Sequence, residues 1–332
     1  MENPIIEGSC RERDISYKFL AEHTELSELE AGIPYKEFFF HSKARDKDLE
    51  FRVLKRITET RKHAECLVEN SAMTCSMNRY ADILPYKDTL VHVPGYSYIN
   101  ANFVDGACSG SEQMIIATQG PLHRTMEAFW AMVWEYEVSL IIMMCNLLED
   151  GMVKCEEYFP SENNIQCDVF EISLAKSTNK YPFLIERVLI MTHVPTQETR
   201  IITHLQSTAW PDQGVPSLAD EFSSINYMIS LIKKKWLANR SKIVVHCSAG
   251  IGRTGVLVGI FNVVTALEEL LEKEAEDENV EPRVSIFGAV RRLREQRWGM
   301  VANVKQYKFI YKFMEYWITS FLSHQQQIGQ SL

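Results

Sequence analysis

The chain has 332 residues, 46% of them hydrophobic and 24% charged. That balance suits a folded chain with a sizeable core and excludes a mainly disordered or collagen-like polymer. A formal net charge of −9 offers nothing to draw the chain to nucleic acid or an acidic membrane surface, so an anionic ligand would need a local positive site.

Residues 1–34 are polar and acidic, end at Gly32 and Pro34, and read as an N-terminal arm or a first helix. They lack the apolar core of a signal peptide, and the longest apolar stretch noted, 138–145, is far short of a membrane span; the expectation is a soluble cytoplasmic protein. From 35 to 66, Phe38, Phe39, Phe51, Leu54, Ile57 and Cys66 recur near three- and four-residue spacings, which predicts helical pieces. Turn residues then become dense between 78 and 95 and bound a strand over 98–103.

Further on, the pattern predicts a strand at 114–118 and an amphipathic helix over 125–136 with Phe129, Trp130, Val133 and Trp134 inward. A buried strand follows at 138–145, then a turn at Glu149-Asp150-Gly151. Strands are expected at 167–174, 183–193 and 199–206, the last leading into a loop with Trp210, Pro211, Asp212, Gln213, Gly214 and Pro216. A helix over 225–237 and a strand over 242–246 precede a helix whose apolar face ends in the acidic run 272–281. Two more helices, at 285–296 and 304–321, close the chain. Without a repeat or a linker, this alternation favours one α/β or α+β domain over 35–322, with a tail at 323–332.

The eight cysteines include no Cys-x-x-Cys pair, which disfavours structural zinc, and the chain is long for a disulfide scaffold. Seven of them read as reduced core thiols. Cys247 is different, because it opens the segment Cys247-Ser248-Ala249-Gly250-Ile251-Gly252-Arg253-Thr254-Gly255 between a strand and a helix. Such a loop turns successive N–H groups of Ser248, Ala249, Gly250, Ile251 and Gly252 into one concavity and adds the helix dipole, so it binds a tetrahedral anion. It lacks the Gly-Lys-[Ser/Thr] ending of a nucleotide-binding loop.

The same dipoles stabilise a thiolate at Cys247, while Arg253 can fork onto two phosphoryl oxygens as charge spreads over them. Thr254 is placed to give its hydroxyl to the sulfur when the cysteine leaves. Asp212 lies 35 residues before Cys247 in a loop stiffened by Pro211 and Pro216 and hinged at Gly214, as expected of a lid that carries a general acid.

These segments, together with 78–86, 98–103, 117–122, Phe129-Trp130, Lys154-Cys155, 158–160 and 197–200, resemble those of the cysteine-dependent, tyrosine-specific protein phosphatases of non-receptor type, in the family's order. The likeness runs from about 45 to 320. It implies a large twisted mixed β-sheet flanked by helices, and hydrolysis of phosphotyrosine through a cysteinyl-phosphate. By the same resemblance Cys247 is the nucleophile, Arg253 the clamp, and Asp212 the acid that later serves as base. Glu149 would hold Arg253, and Lys154 would lean toward Asp212 or the phosphate. Tyr80 would wall a slot too deep for phosphoserine or phosphothreonine, and Asp82 would accept N–H groups of the substrate peptide. His246 would be a structural hydrogen-bonding residue beside the nucleophile.

Three departures stand out. Ala302 occupies a position where the family has a glutamine that orients the attacking water, and this implies slow hydrolysis of the phosphoenzyme. Gln306 reads either as the partner of an Asn303 helix cap or as a contact to that water. Met77 and Ala81 remove positive or polar character at the mouth, and Gln213 replaces a residue that is often aromatic or histidine. The alternatives are a phosphotyrosine-binding pseudophosphatase and a dual-specificity or phosphoinositide phosphatase. Expected partners are phosphotyrosine proteins, with no cofactor, metal or nucleic acid.

Overall fold

In a computed structural model that describes residues 24–59, 66–211, 214–216 and 220–329, three short, largely apolar runs form the middle of a sheet. They are β2 (Ile115–Thr118), β3 (Leu140–Met143) and β10 (Ile243–His246), and every residue in them is buried. Continuous rather than alternating hydrophobicity is what a strand needs when helices cover both its faces. β10 runs parallel to both neighbours, with Val245 between Ala117 and Ile142, and His246 between Thr118 and Met143. The carboxyl ends of the three strands are therefore level, and the loops that follow meet at one edge, the usual crevice for a ligand in such sheets.

The sheet's other strands are β1 (Ala101–Val104), β6 (Ile165–Cys167), β7 (Phe170–Tyr181), β8 (Leu184–His193) and β9 (Glu198–Ser207); a separate hairpin joins β4 (Leu148–Glu149) to β5 (Met152–Val153), and Ile33–Pro34 pairs with Arg283–Val284. Sheet order is β1-β2-β10-β3-β9-β8-β7-β6, mixed in direction, as expected. Several strand boundaries differ from expectation: β3 is shorter at both ends than 138–145, and the run expected at 167–174 is divided by a turn at 168–169 between β6 and β7. β1 starts at Ala101 rather than 98, because the Ala101 N–H closes a local turn onto Ile99 O at 2.9 Å and the backbone before it is off the ladder. β7 continues to Tyr181 although its apolar alternation stops near 174, since backbone pairing with β8 carries the ladder onward through irregularities at Leu174/Lys176 and Asn179/Tyr181.

The helices are α1 (Thr24–Ala31), α2 (Phe38–Ala44), α3 (Lys47–Glu59), α4 (Ala72–Met77), α5 (Met126–Glu135), α6 (Asp220–Asn239), α7 (Gly252–Glu276), α8 (Ile286–Gln296) and α9 (Val304–Gly329). In α5, Phe129, Trp130 and Val133 are buried as predicted, but Trp134 is half-exposed. Its indole lies under the Arg200 guanidinium at 3.8 Å and beside Phe170 and His193. α7 is long and apolar enough by composition to cross a membrane, yet 72% of its apolar window is buried in the fold. α9 extends seven residues past 322, to Gly329. α1 is fastened to α8 through Glu30 and Arg291.

The cysteines divide more finely than predicted. Cys145, Cys155, Cys167 and Cys247 are buried, Cys66 and Cys108 are half-buried, and Cys75 is exposed. Cys66 lies in a turn, Cys108 in a bend and Cys75 in α4, and none of them is buried, so the core-thiol reading does not hold for them. Cys10 lies outside the described residues.

Candidate active site

β10 ends at His246 and α7 begins at Gly252, so the chain must turn within 247–251. Every carbonyl of this loop is engaged on its outer side. Cys247 O accepts from His246 Nδ1 at 3.1 Å and Ser248 O from Gly120 N at 2.9 Å. Ala249 O and Gly250 O accept from Arg297 at 3.2 and 2.9 Å, and Ile251 O from Val301 N at 2.9 Å and Gly255 N at 3.1 Å. With the carbonyls committed outward, the intervening N–H groups have the inner side. Gly250 N donates to Cys247 Sγ at 3.2 Å. Its φ of +71° favours glycine, and a Cβ there would lie 2.0 Å from Thr118 O.

Arg297 is the brace of this loop. It is 1% exposed and also donates to Asn100 Oδ1 and Asn102 Oδ1, both at 2.8 Å. Burial pulls its pKa down to about 10, and proximity to Tyr98 and Cys247 opposes that pull. Reading the sequence missed it. The available signal was a charged side chain next to Trp298-Gly299 in a segment otherwise rich in core residues.

Cys247 is 3% exposed. Burial alone would raise its pKa, but the Arg253 charge, the Thr254 hydroxyl and backbone N–H, and Gly250 N–H together bring it below the ordinary thiol value. Thr254 Oγ1 is buried and completes no hydrogen bond of full geometry among the described residues. It lies beside the Cys247 sulfur, whose thiolate it favours.

Arg253 is anchored by the β4–β5 hairpin. Asp150 and Gly151 take positive φ, 49° and 74°, forming the tight Asp-Gly turn that suits two-residue hairpins. Glu149 then binds Arg253 with both oxygens, at 2.6 and 3.0 Å, and also accepts from Asn146 N at 2.9 Å. Arg253 also donates to Trp210 O at 2.9 Å. Although burial disfavours the guanidinium charge, Glu149 and Cys247 hold it more firmly protonated than usual. Trp210 is 2% exposed and donates to Gly214 O at 3.1 Å, which fixes both described ends of the loop. Asp212 and Gln213 lie outside the described residues.

A cavity of about 510 Å³ opens over the sulfur. Tyr80 forms a wall and Lys154 lines it while nearly buried, whereas Asp82 is exposed at the mouth. Ser248 Oγ donates to Lys154 O at 2.8 Å, so Tyr80 Oη, 2.9 Å from Ser248 Oγ, is the donor of that pair. Gln306 takes the capping role expected of it. Its N–H is capped by Asn303 Oδ1 and its Oε1 accepts from Ala302 N, both at 3.0 Å, while its Nε2 faces the loop at Gly252. A roomier cleft of about 610 Å³, walled by Met114, Trp236, Phe261 and Phe321, has Glu268, Glu269 and Glu272 on its rim. Lys233 and Arg240 also line it, and Lys233 pairs with Glu268, but among the described residues no strand-to-helix loop like 247–251 opens into it, so volume does not locate the site.

A sequence profile described as protein-tyrosine phosphatase matches residues 74–316. The chain is 35% identical over 288 residues to receptor-type tyrosine-protein phosphatase alpha of Homo sapiens, covering 80% of this chain and 33% of that protein. It is 32% identical over 307 residues to tyrosine-protein phosphatase non-receptor type 13 of Mus musculus, covering 91% of this chain and 11% of that protein. It thus spans a third or less of these relatives. The solved catalytic domain of human protein tyrosine phosphatase non-receptor type 18 superposes with a TM-score of 0.73 at 31% identity, covering 85% of this chain and 99% of that one. A structure of the type 18 enzyme with HER2 phosphopeptides gives 0.74 at 29% identity, with 86% and 99% covered. With the profile spanning most of the chain and the fold matching almost all of a solved domain, this chain belongs to the protein-tyrosine phosphatase family.

Proposed function

We propose that the chain hydrolyses phosphotyrosine in proteins in two steps through a cysteinyl-phosphate. The observation that carries this reading is the Cys247 sulfur, its pKa lowered by the Arg253 charge and the loop N–H groups, at the start of a loop whose carbonyls all point away. The sulfur attacks phosphorus and the P–O bond to the tyrosine breaks; Asp212 protonates the departing phenolate. Asp212 then takes a proton from water, which attacks phosphorus and releases the thiolate, with Thr254 donating to the sulfur. Arg253 and the N–H groups of 248–252 bind the equatorial oxygens, where charge spreads in the transition state. Tyr80 packs against the substrate ring, Lys154 adds positive charge and Asp82 accepts from the peptide backbone.

The catalytic unit spans 35–322, with the arm 1–34 and the tail 323–332 at its ends. A reducing, cytoplasmic location suits a nucleophilic thiol. Turnover of p-nitrophenyl phosphate and of a phosphotyrosine peptide, lost in Cys247→Ser, supports this reading; binding of the peptide without any turnover sinks it in favour of a pseudophosphatase. Equal turnover of phosphoserine peptides would point to a dual-specificity enzyme.

A second reading concerns rate. Ala302 Cβ lies 3.6 Å from the Cβ position at Gly252, on the side of the loop that Gln306 also faces. A methyl there cannot orient water. Rapid-quench kinetics should then show a phenol burst above a slow steady state, accelerated by Ala302→Gln; a linear time course with no gain counts against it.

A further inference from the structure

Five polar groups stand in single file between the outer strands and the loop. Arg187 on β8 and His204 on β9 are register partners, and Arg187 Nη1 lies 3.4 Å from His204 Nδ1. His204 Nε2 is 2.8 Å from Tyr158 Oη, and Oη is 2.6 Å from His246 Nε2. His246 Nδ1 is 3.1 Å from Cys247 O. Tyr158, His204 and His246 are all fully buried, so solvent does not compete for these bonds.

The two ends dictate the direction of the file. A carbonyl can only accept, so His246 Nδ1 carries a proton; a guanidinium can only donate, so His204 Nδ1 is a bare acceptor. Each neutral imidazole has one N–H. His204 Nε2 therefore donates to Tyr158 Oη, and Tyr158 donates to His246 Nε2. We propose that Arg187, His204 and Tyr158 are positioning residues that lock His246 as its Nδ1–H tautomer and so hold the Cys247 peptide in place at the start of the anion-binding loop.

The loop shows why this matters. Cys247 O is held by His246 Nδ1–H, and the opposite tautomer would press a lone pair against that oxygen. The peptide would then turn, carrying the Ser248 N–H away from the concavity. Protonating either imidazole would set donor against donor, and surrounding cations oppose it. Arg187 faces His204, Arg79 and Arg253 face His246, and burial keeps both rings neutral. Around the other members stand Glu157 at Arg187, Cys145 and Cys155 at Tyr158, and Arg253, Thr254, Cys145 and Arg297 at Cys247.

The inference rests on Cys247 being the nucleophile, but its test reads the thiol and the ring rather than turnover. The first measurement is ¹⁵N NMR of the His246 ring, and the second is the pH dependence of Cys247 alkylation by iodoacetate. Wild type should show the Nδ1–H pattern. Tyr158→Phe and His204→Phe should populate the Nε2–H form and raise the alkylation midpoint by about one pH unit, about a tenfold slower reaction on the acid limb. His204→Gln, which can accept and donate at opposite ends, should keep both wild-type signatures. Arg187→Met, at a half-buried position, should give a smaller shift in the same direction and serves if the core variants do not fold. The proposal is overturned if these variants keep the Nδ1–H pattern and a wild-type alkylation curve, or if His204→Gln behaves like His204→Phe.

Discussion

Two buried arginines held by glutamates invite comparison. Arg253 meets Glu149 in the loop cavity, and Arg291 meets Glu30 and Glu295 where α1 packs on α8; the arginine side chains are 2% and 3% exposed. Both guanidiniums are held more firmly protonated than usual despite burial. A buried ion pair therefore does not mark a site. What sets Arg253 apart is its neighbourhood: a thiol with lowered pKa, a loop whose carbonyls are all turned away, and a cavity above them. Arg291 joins two helices, and its contacts are structural.

Substitutions can break or sharpen that contrast. Cys247→Ser should cut kcat by at least about four orders of magnitude, since an alcohol neither ionises in this setting nor leaves as well as a thiolate; initial rates on a phosphotyrosine peptide check it. Arg253→Lys should lose on the order of 10³-fold in kcat, because a point charge cannot fork onto two oxygens. Glu149→Gln should lower kcat/KM roughly tenfold and move the acid limb of the pH–rate profile upward, as a less firmly held Arg253 supports the Cys247 thiolate less well.

The last two effects fall on stability. Burial, opposed by the bond to Cys247 O, lowers the His246 pKa from 6.5 to about 4. The folded ring stays neutral where the unfolded one is protonated, so its contribution is whole above pH 6.5 and is lost as pH falls to about 4. The loss is roughly 3 kcal/mol, and urea midpoints across that range should fall less steeply in His246→Gln. Glu30→Gln, on the other side of the comparison, should destabilise the fold by about 1–3 kcal/mol and leave kcat/KM unchanged. A large rate loss there would erase the distinction between the two arginines.

The sequence made legible what is local. Continuous apolar runs marked β2, β3 and β10, and the anion-binding loop announced itself because Cys247 through Gly255 are contiguous. Arg297 was not legible, because its meaning comes from carbonyls 47 and 48 positions earlier in the chain. The same holds for Arg187, His204 and Tyr158, which are ordinary polar residues until sheet register aligns them with His246. Trp134 packs on the core as its period predicts, but the Arg200 guanidinium over its indole left no trace in that period. The end of β7 was missed because backbone pairing, not side-chain pattern, extends it.

The central claim is that Cys247 carries the phosphoryl group. Acid quench of the enzyme within milliseconds of mixing with a phosphotyrosine peptide, followed by peptide mapping under conditions that preserve thiophosphate esters, tests it directly. The account predicts a phosphorylated peptide containing Cys247, formed and consumed at rates consistent with turnover and absent in Cys247→Ser. Turnover without any phosphoenzyme, or with the phosphoryl group on another residue, would contradict it.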